Sequence, residues 1–267
     1  MSVVTDLKAV STRPAASQTL LELSGIARSF GGLKVLTDVN LTVHQGEIVG
    51  LIGPNGSGKS TCFNIVSGFL RPDVGRILMA GRDIVADSVQ ARARHGLMRT
   101  FQTPKVFERM SVLENVMVGL HKDGRSGILA SMLRTPSVRR ELQWLHETAE
   151  QSCRKFGLGK LLNIPAGRLP AGQRRVVELA RAYVGTPRLL LLDEPSSGLN
   201  TEEIEQLRGW ITMLRAQGIT ILLVSHDMGL MSIADTVHVL YFGEIIASGP
   251  MAAIQAHPRV REAYLGG

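Results

Sequence analysis

Short apolar runs separated by segments with helical spacing set out the plan of the chain. Residues 48–52, 188–192 and 219–224 are almost wholly apolar, and each reads as a strand buried on both faces. Residues 61–70 read as a helix after the first run. Residues 201–217 read as a second helix, with Glu202 and Glu203 in its first turn and Gly218 just past its end. Apolar strands alternating with helices predict a largely parallel sheet covered on both sides.

Two other regions follow different rules. Residues 20–43 form strand-like runs broken at Gly31-Gly32 and again at Asp38 and Asn40, and residues 76–79 and 83–85 flank Ala80-Gly81. These predict antiparallel strands packed beside the strand at 48–52. Ser111-Val112-Leu113-Glu114 is a capping box opening a helix to about residue 120. A polar patch at 122–127 precedes a longer helix from residue 137, with Val138, Leu142, Leu145, Ala149 and Cys153 predicted along its apolar face. The expected organisation is a flexible tail over residues 1–17 and one domain over 18–267. Its core takes residues 18–97 and 186–267, interrupted by an α-helical subdomain at about 98–185.

Composition narrows the function classes. Of 267 residues only 4% are aromatic, which argues against a base-stacking platform for single-stranded nucleic acid. The net charge of +7 fits either a solvated basic face or contact with anions. Cys62 and Cys153 stand far apart without a Cys-x-x-Cys pair, so neither a disulfide framework nor a zinc site is expected. No apolar run reaches the roughly 20 residues needed to cross a bilayer. Residues 1–17 carry Asp6, Lys8 and Arg13 and lack the apolar core of a signal peptide, so a cytosolic protein is expected.

Chemistry concentrates in Gly53-Pro54-Asn55-Gly56-Ser57-Gly58-Lys59-Ser60-Thr61, between the first buried strand and the first helix. Small residues there let backbone N–H groups converge on a polyphosphate, and the helix adds the positive end of its dipole. Lys59 suits the β- and γ-phosphates, Ser60 suits Mg²⁺, and Thr61 adds a phosphate contact. Leu189-Leu190-Leu191-Leu192-Asp193-Glu194 then delivers two carboxylates at the end of a strand, where open α/β sheets bind ligands. Asp193 suits Mg²⁺ through water; Glu194 suits orienting or deprotonating an attacking water. His226, directly after the strand at 219–224, is placed to sense a γ-phosphate. Gln102, at the start of the helical insert, suits Mg²⁺ or the lytic water. In Leu169-Pro170-Ala171-Gly172-Gln173, Gly172 opens a helix whose bare N–H groups suit an anion.

In this order the five elements resemble the ATP-binding cassette (ABC) ATPases over about residues 20–267. The resemblance makes residues 53–61 the Walker A loop, 189–194 Walker B, Gln102 the Q-loop, 169–173 the signature motif, 197–200 the D-loop and His226 the switch histidine. It puts Phe30 against adenine, and it implies ATP and Mg²⁺ as ligands. It further implies a head-to-tail dimer in which Gly172 and Gln173 of one subunit cover the nucleotide of the other.

Two positions depart from the family's pattern. Pro170 replaces the signature serine and removes a hydroxyl and an N–H, and Asn200 replaces the D-loop aspartate. An asymmetric heterodimer and harmless variation both accommodate these changes. Phe30-Gly31-Gly32-Leu33, Arg99-Thr100-Phe101-Gln102, Glu114-Asn115-Val116, the insert at 119–140 and the ending Glu262-Ala263-Tyr264-Leu265-Gly266 resemble the ATPases of branched-chain amino-acid importers. That resemblance implies a second ATPase subunit, two membrane permeases and an extracytoplasmic binding protein as partners, with no nucleic acid. The chain would sit peripherally on the inner face of the cell membrane. Residues 103–110 would dock the permease, with Val106, Phe107 and Met110 either contacting it or lying in the core of the insert. Export of lipid or lipopolysaccharide, and a soluble non-transport ABC ATPase, are the alternatives.

Overall fold

The computed structural model describes residues 18–123 and 136–265. Its main sheet has six strands in the order β10-β9-β3-β8-β7-β6. These are β3 Ile48–Ile52, β6 Leu97–Arg99, β7 Leu189–Asp193, β8 Thr220–Val224, β9 Thr236–Tyr241 and β10 Glu244–Gly249. All neighbours run parallel except β9 and β10, which are antiparallel. Alternation along each strand divides the core. Leu190, Leu192, Ile221 and Leu223 join the cluster on one face, whereas Leu189, Leu191, Leu222 and Val224 join the cluster on the other. This two-sided burial is why β7 reads as unbroken leucine.

A separate four-stranded antiparallel sheet, ordered β2-β1-β4-β5, comprises β1 Thr19–Phe30, β2 Leu33–His44, β4 Val74–Met79 and β5 Arg82–Asp83. Its inner residues Leu21, Ile26, Val39 and Ile77 pack in one cluster with Val49 and Leu51 of β3. It therefore lies over the face of the strand at 48–52 without pairing with it. The breaks expected at Asp38 and Asn40 do not occur, since β2 runs through both. The irregularity falls opposite instead, where β1 shifts register between Leu23 and Ile26 and the Asn40 side chain accepts the Gly25 N–H at 2.8 Å.

Helix α1, Lys59–Ser67, starts two residues earlier than the periodicity predicts and stops at left-handed Gly68. Helix α2, Val89–Arg94, carries Arg92, which is fully buried. Its guanidinium donates to the carbonyls of Ile65 and Val66 at the end of α1, and to those of Ile84, Val85 and Asp87. A charged group thus satisfies orphan carbonyls of one helix and a loop together.

Helix α3, Val112–Met117, has the expected capping box and continues as a 3₁₀ segment, Val118–Asp123. Helix α4 spans Pro136–Lys155 and packs against α3 and against α5, Ala171–Val184. Ala149 and Cys153 of α4 are fully buried as predicted, but Leu142 is exposed, as is Trp144. Residues 139–147 of α4 are mostly exposed, and periodicity does not encode which stretch of a helix its neighbours cover. Val138 and the residues 124–135 of the predicted insert lie outside the described side chains. Helix α6 is Thr201–Ala216, α7 is Met228–Met231, α8 is Met251–Ala256 and α9 is Pro258–Leu265. Among the described residues no helix is long and apolar enough to cross a membrane.

Candidate functional site

The loop between β3 and α1 is built around glycines that admit no side chain. A Cβ on Gly53 would lie 2.1 Å from the Leu240 carbonyl oxygen, and one on Gly58, at φ +107°, would lie 2.9 Å from that of Val35. Lys59 opens α1 and folds back, donating from Nζ to the carbonyls of Gly53 at 2.7 Å and Pro54 at 2.9 Å. Burial lowers its pKa, and the charges of Glu194 and Asp193 oppose that shift. The Ser57 hydroxyl is buried and has no hydrogen-bond partner. A cleft of about 330 Å³ lies above the loop. Asn55, Gly56, Gly58, Lys59, Ser60 and Thr61 line one side of it, and Gln102, Glu194, Val35 and Val224 line the rest.

The ends of β7 and β8 supply the acids and the histidine. Glu194 follows β7 with φ +45°, a left-handed conformation that is costly for a side chain with a Cβ. Its N–H donates to the Val224 carbonyl at 2.9 Å, which holds that turn against β8. Glu194 Oε2 lies 2.8 Å from His226 Nδ1. The imidazole is exposed and the carboxylate largely buried. Asp193 is buried, and its Oδ2 accepts from Arg99 Nη2 at 2.8 Å. Arg99 also donates from Nη1 to Asn64 and Ser67. Its guanidinium sits among the rings of Phe63, Phe69 and Phe101 at 5.2–5.8 Å.

Not every predicted residue converges here. Phe30 ends β1 outside the cleft lining, exposed, with the Arg28 guanidinium 4.9 Å from its ring centroid. Gly172 and Gln173 begin α5 and border a different cavity, on the far side of Arg175. A Cβ on Gly172 would lie 2.5 Å from Glu203 Oε1, so glycine lets α5 approach α6. Pro170 stands at the N-cap of α5 without a side-chain cap bond. Asn200 caps α6, accepting the Glu203 N–H while the Glu203 carboxylate takes its own N–H. Asn serves there as well as Asp would.

Three residues that hold the site together escape a sequence reading. Arg99 appears there only as part of a motif, with no sign that it pairs with Asp193. Arg175 donates to the carbonyls of Glu194, Gln102 and Ser197 at 2.9–3.1 Å, joining α5 to the loops that carry both candidate catalytic side chains. Glu178, buried on the same helix, accepts the N–H groups of Phe101 and Lys105, and burial raises its pKa. An arginine and a glutamate inside an amphipathic helix read as surface residues until the tertiary contacts are known.

The groups present fit a magnesium-bound polyphosphate. The loop offers an ammonium held by two of its carbonyls and an unpartnered buried hydroxyl. Ser60 and Gln102 on the cleft, and Asp193 beside it, carry oxygens of the hard kind that would suit Mg²⁺.

Comparison with known proteins agrees with this arrangement. Residues 36–197 match the ABC transporter family, and residues 244–267 match a segment described as branched-chain amino acid ATP-binding cassette transporter. The branched-chain amino acid transport ATP-binding protein BraF of Pseudomonas aeruginosa is 40% identical, covering 94% of this chain and 99% of its own. LivG of Escherichia coli K12, named for the same transport, shows the same identity and coverage. A nucleotide-free ATP-binding cassette from an ABC transporter superposes with a TM-score of 0.80 at 31% identity, covering 93% of this chain and all of the other. With Lys59, Glu194 and Gln102 gathered on one cleft at the C-terminal ends of parallel strands, the chain belongs to the ABC transporter family of ATP-binding cassettes.

Proposed function

We propose that this chain binds and hydrolyses ATP to drive uptake of branched-chain or other hydrophobic amino acids through membrane permeases. The meeting of Lys59, Gln102 and Glu194 across one cleft carries the ATPase reading. Similarity to BraF along nearly the whole chain carries the substrate class. Residues 18–97 and 186–267 form the nucleotide core, and residues 98–185 form the helical subdomain.

Residues 53–61 hold the phosphates, and Lys59 exchanges its two loop carbonyls for phosphate oxygens. Magnesium, held by Ser60, Asp193 and Gln102, offsets phosphate charge when it is bound. Glu194 orients the attacking water and takes its proton. His226 fixes the Glu194 carboxylate and faces the γ-phosphate. Phe30 offers its ring to adenine. Gly172 and Gln173 cannot reach their own cleft, so they serve the nucleotide of a second ATPase subunit. Arg175 then carries movement of α5 to Gln102 and Glu194.

The permeases dock at the groove bordered by Gln90, Arg94, Met98, Val118 and Arg181. Phe107, within residues 103–110, is exposed with the Arg181 guanidinium 5.6 Å from its ring, while Val106 packs against the core. The chain accordingly sits on the cytoplasmic face of the membrane, and an extracytoplasmic binding protein delivers solute from the other side.

Co-expression with the two permeases and the partner ATPase, followed by reconstitution in liposomes, tests this reading. ATP-dependent accumulation of leucine supports it. A complex that hydrolyses ATP but moves lipid and no amino acid overturns the substrate class, and a chain that neither binds nor cleaves ATP overturns the whole.

A further inference from the structure

Asn55 and Gly56 form the exposed tip of the loop between β3 and α1, on the lining of the cleft. The Ser57 N–H donates to the Pro54 carbonyl at 3.2 Å, which makes them the central pair of a tight turn. Gly56 takes φ +80°, and a Cβ built on it would meet nothing within 4 Å. Neither the Asn55 side-chain amide nor the peptide group joining the two residues has a hydrogen-bond partner among the described residues. That peptide group can therefore turn without breaking a bond, and glycine permits the rotation at little steric cost.

The chain has six asparagines, and only Asn55 precedes a glycine. The other five precede Leu41, Ile65, Val116, Ile164 and Thr201, whose side chains crowd the nitrogen that follows each asparagine. Four of those five also hold a side-chain hydrogen bond. Asn40 accepts from Gly25, Asn64 from Arg99 and Asn200 from Glu203, while Asn115 donates to three carbonyls. Sequence and tertiary structure thus leave one asparagine both uncrowded and untied beside a glycine.

We infer that Asn55 is a site of spontaneous deamidation, open in the empty loop and shielded when nucleotide is bound. The Gly56 nitrogen, having lost its proton, attacks Asn55 Cγ. A C–N bond forms, the Cγ–Nδ2 bond breaks, and ammonia leaves with the proton. Water then opens the resulting five-membered imide at either carbonyl, which gives aspartate or isoaspartate at position 55. The net change is amide plus water to carboxylate plus ammonia, and no oxidant or reductant enters. Either product puts a negative charge on a cleft that already holds Glu194, and isoaspartate also lengthens the backbone of the turn. Both changes oppose a polyphosphate. The shielding rests on the reading of residues 53–61 as the phosphate cradle, since a bound phosphate holds the loop in one conformation; the reactivity of the empty loop does not.

The test incubates the purified full chain in mildly alkaline buffer at body temperature, with and without a non-hydrolysable ATP analogue and Mg²⁺. Peptide mapping reads the mass gained when –NH₂ becomes –OH, and protein isoaspartyl methyltransferase reads isoaspartate. Expected are a gain at the peptide holding Asn55, several-fold faster than at any other asparagine, and a several-fold slowing by the analogue. Asn55→Gln should abolish the gain, because its longer side chain cannot close the five-membered ring. Asn55→Asp should bind the analogue several-fold more weakly than the parent chain. No gain at Asn55, or an equal rate at Asn163, overturns the inference. Equal rates with and without the analogue, in a chain shown to bind it, overturn the shielding. A chain that deamidates at Asn55 but binds no nucleotide supports the site and counts against the ATPase reading alone.

Discussion

Arg99 donates from Nη2 to Asp193 Oδ2 at 2.8 Å, inside a cage of three phenylalanine rings. The same guanidinium reaches Asn64 and Ser67 of α1, so one side chain fixes the Walker B carboxylate relative to the phosphate-loop helix. An arginine reaches these acceptors from two nitrogens of a rigid planar fork, whereas a lysine offers its donors from a single point and cannot span them in the same geometry. Arg99→Lys should therefore raise the Mg²⁺ concentration for half-maximal ATPase several-fold. ATP binding without Mg²⁺ should stay within about twofold, since Arg99 lies outside the cleft lining. A Mg²⁺ titration of turnover checks the first statement and a fluorescent-nucleotide titration the second.

Glu194→Gln keeps the shape of the residue and its place beside His226 but removes the base. Turnover should fall by about a hundredfold or more, while ATP affinity stays near the parent value. Single-turnover hydrolysis and equilibrium binding separate the two, and unchanged turnover would exclude Glu194 as the base. Lys59→Ala should instead weaken ATP binding itself, because Nζ is the cation at the phosphate loop.

Arg92 lies wholly inside the protein and serves five backbone carbonyls. Arg92→Met fills much of the volume but leaves those acceptors dry. The loss should be about 3 kcal/mol or more of folding stability, visible as a lower denaturant midpoint. A variant within about 0.5 kcal/mol of the parent would show that water replaces the guanidinium.

Burial pushes the Cys62 thiol up to about 12 and the Cys153 thiol up to about 11. Both are free. The native protein at pH 8 should react with thiol reagents only at its rate of opening, and both thiols should titrate promptly in denaturant. The folded state holds these protons more tightly than the unfolded chain. Their contribution to stability is complete below about pH 8.5 and is lost as pH rises toward 11–12. Denaturation midpoints measured across that alkaline range check the sign.

Much of this molecule is legible in its residue order. The leucine run of β7 announces a strand buried on both faces because alternate residues must enter different cores, as they do. The glycines at 53 and 58 announce close backbone approach. The Ser111 capping box and the acidic first turn at Glu202 and Glu203 announce helix starts, all of which follow from interactions within a few residues. Such features depend on local sterics and capping, which residue type alone specifies.

What tertiary structure decided is which distant groups meet. The exposure of Leu142, the pairing of Arg99 with Asp193 across 94 positions and the burial of Arg92 depend on elements far away in the chain. Arg175 makes the point most directly: its helical position reads as solvent-facing, yet three carbonyls from two loops converge on it. A charged side chain becomes an internal fastener only when backbone carbonyls from other segments are brought to it. Periodicity carries no information about those carbonyls.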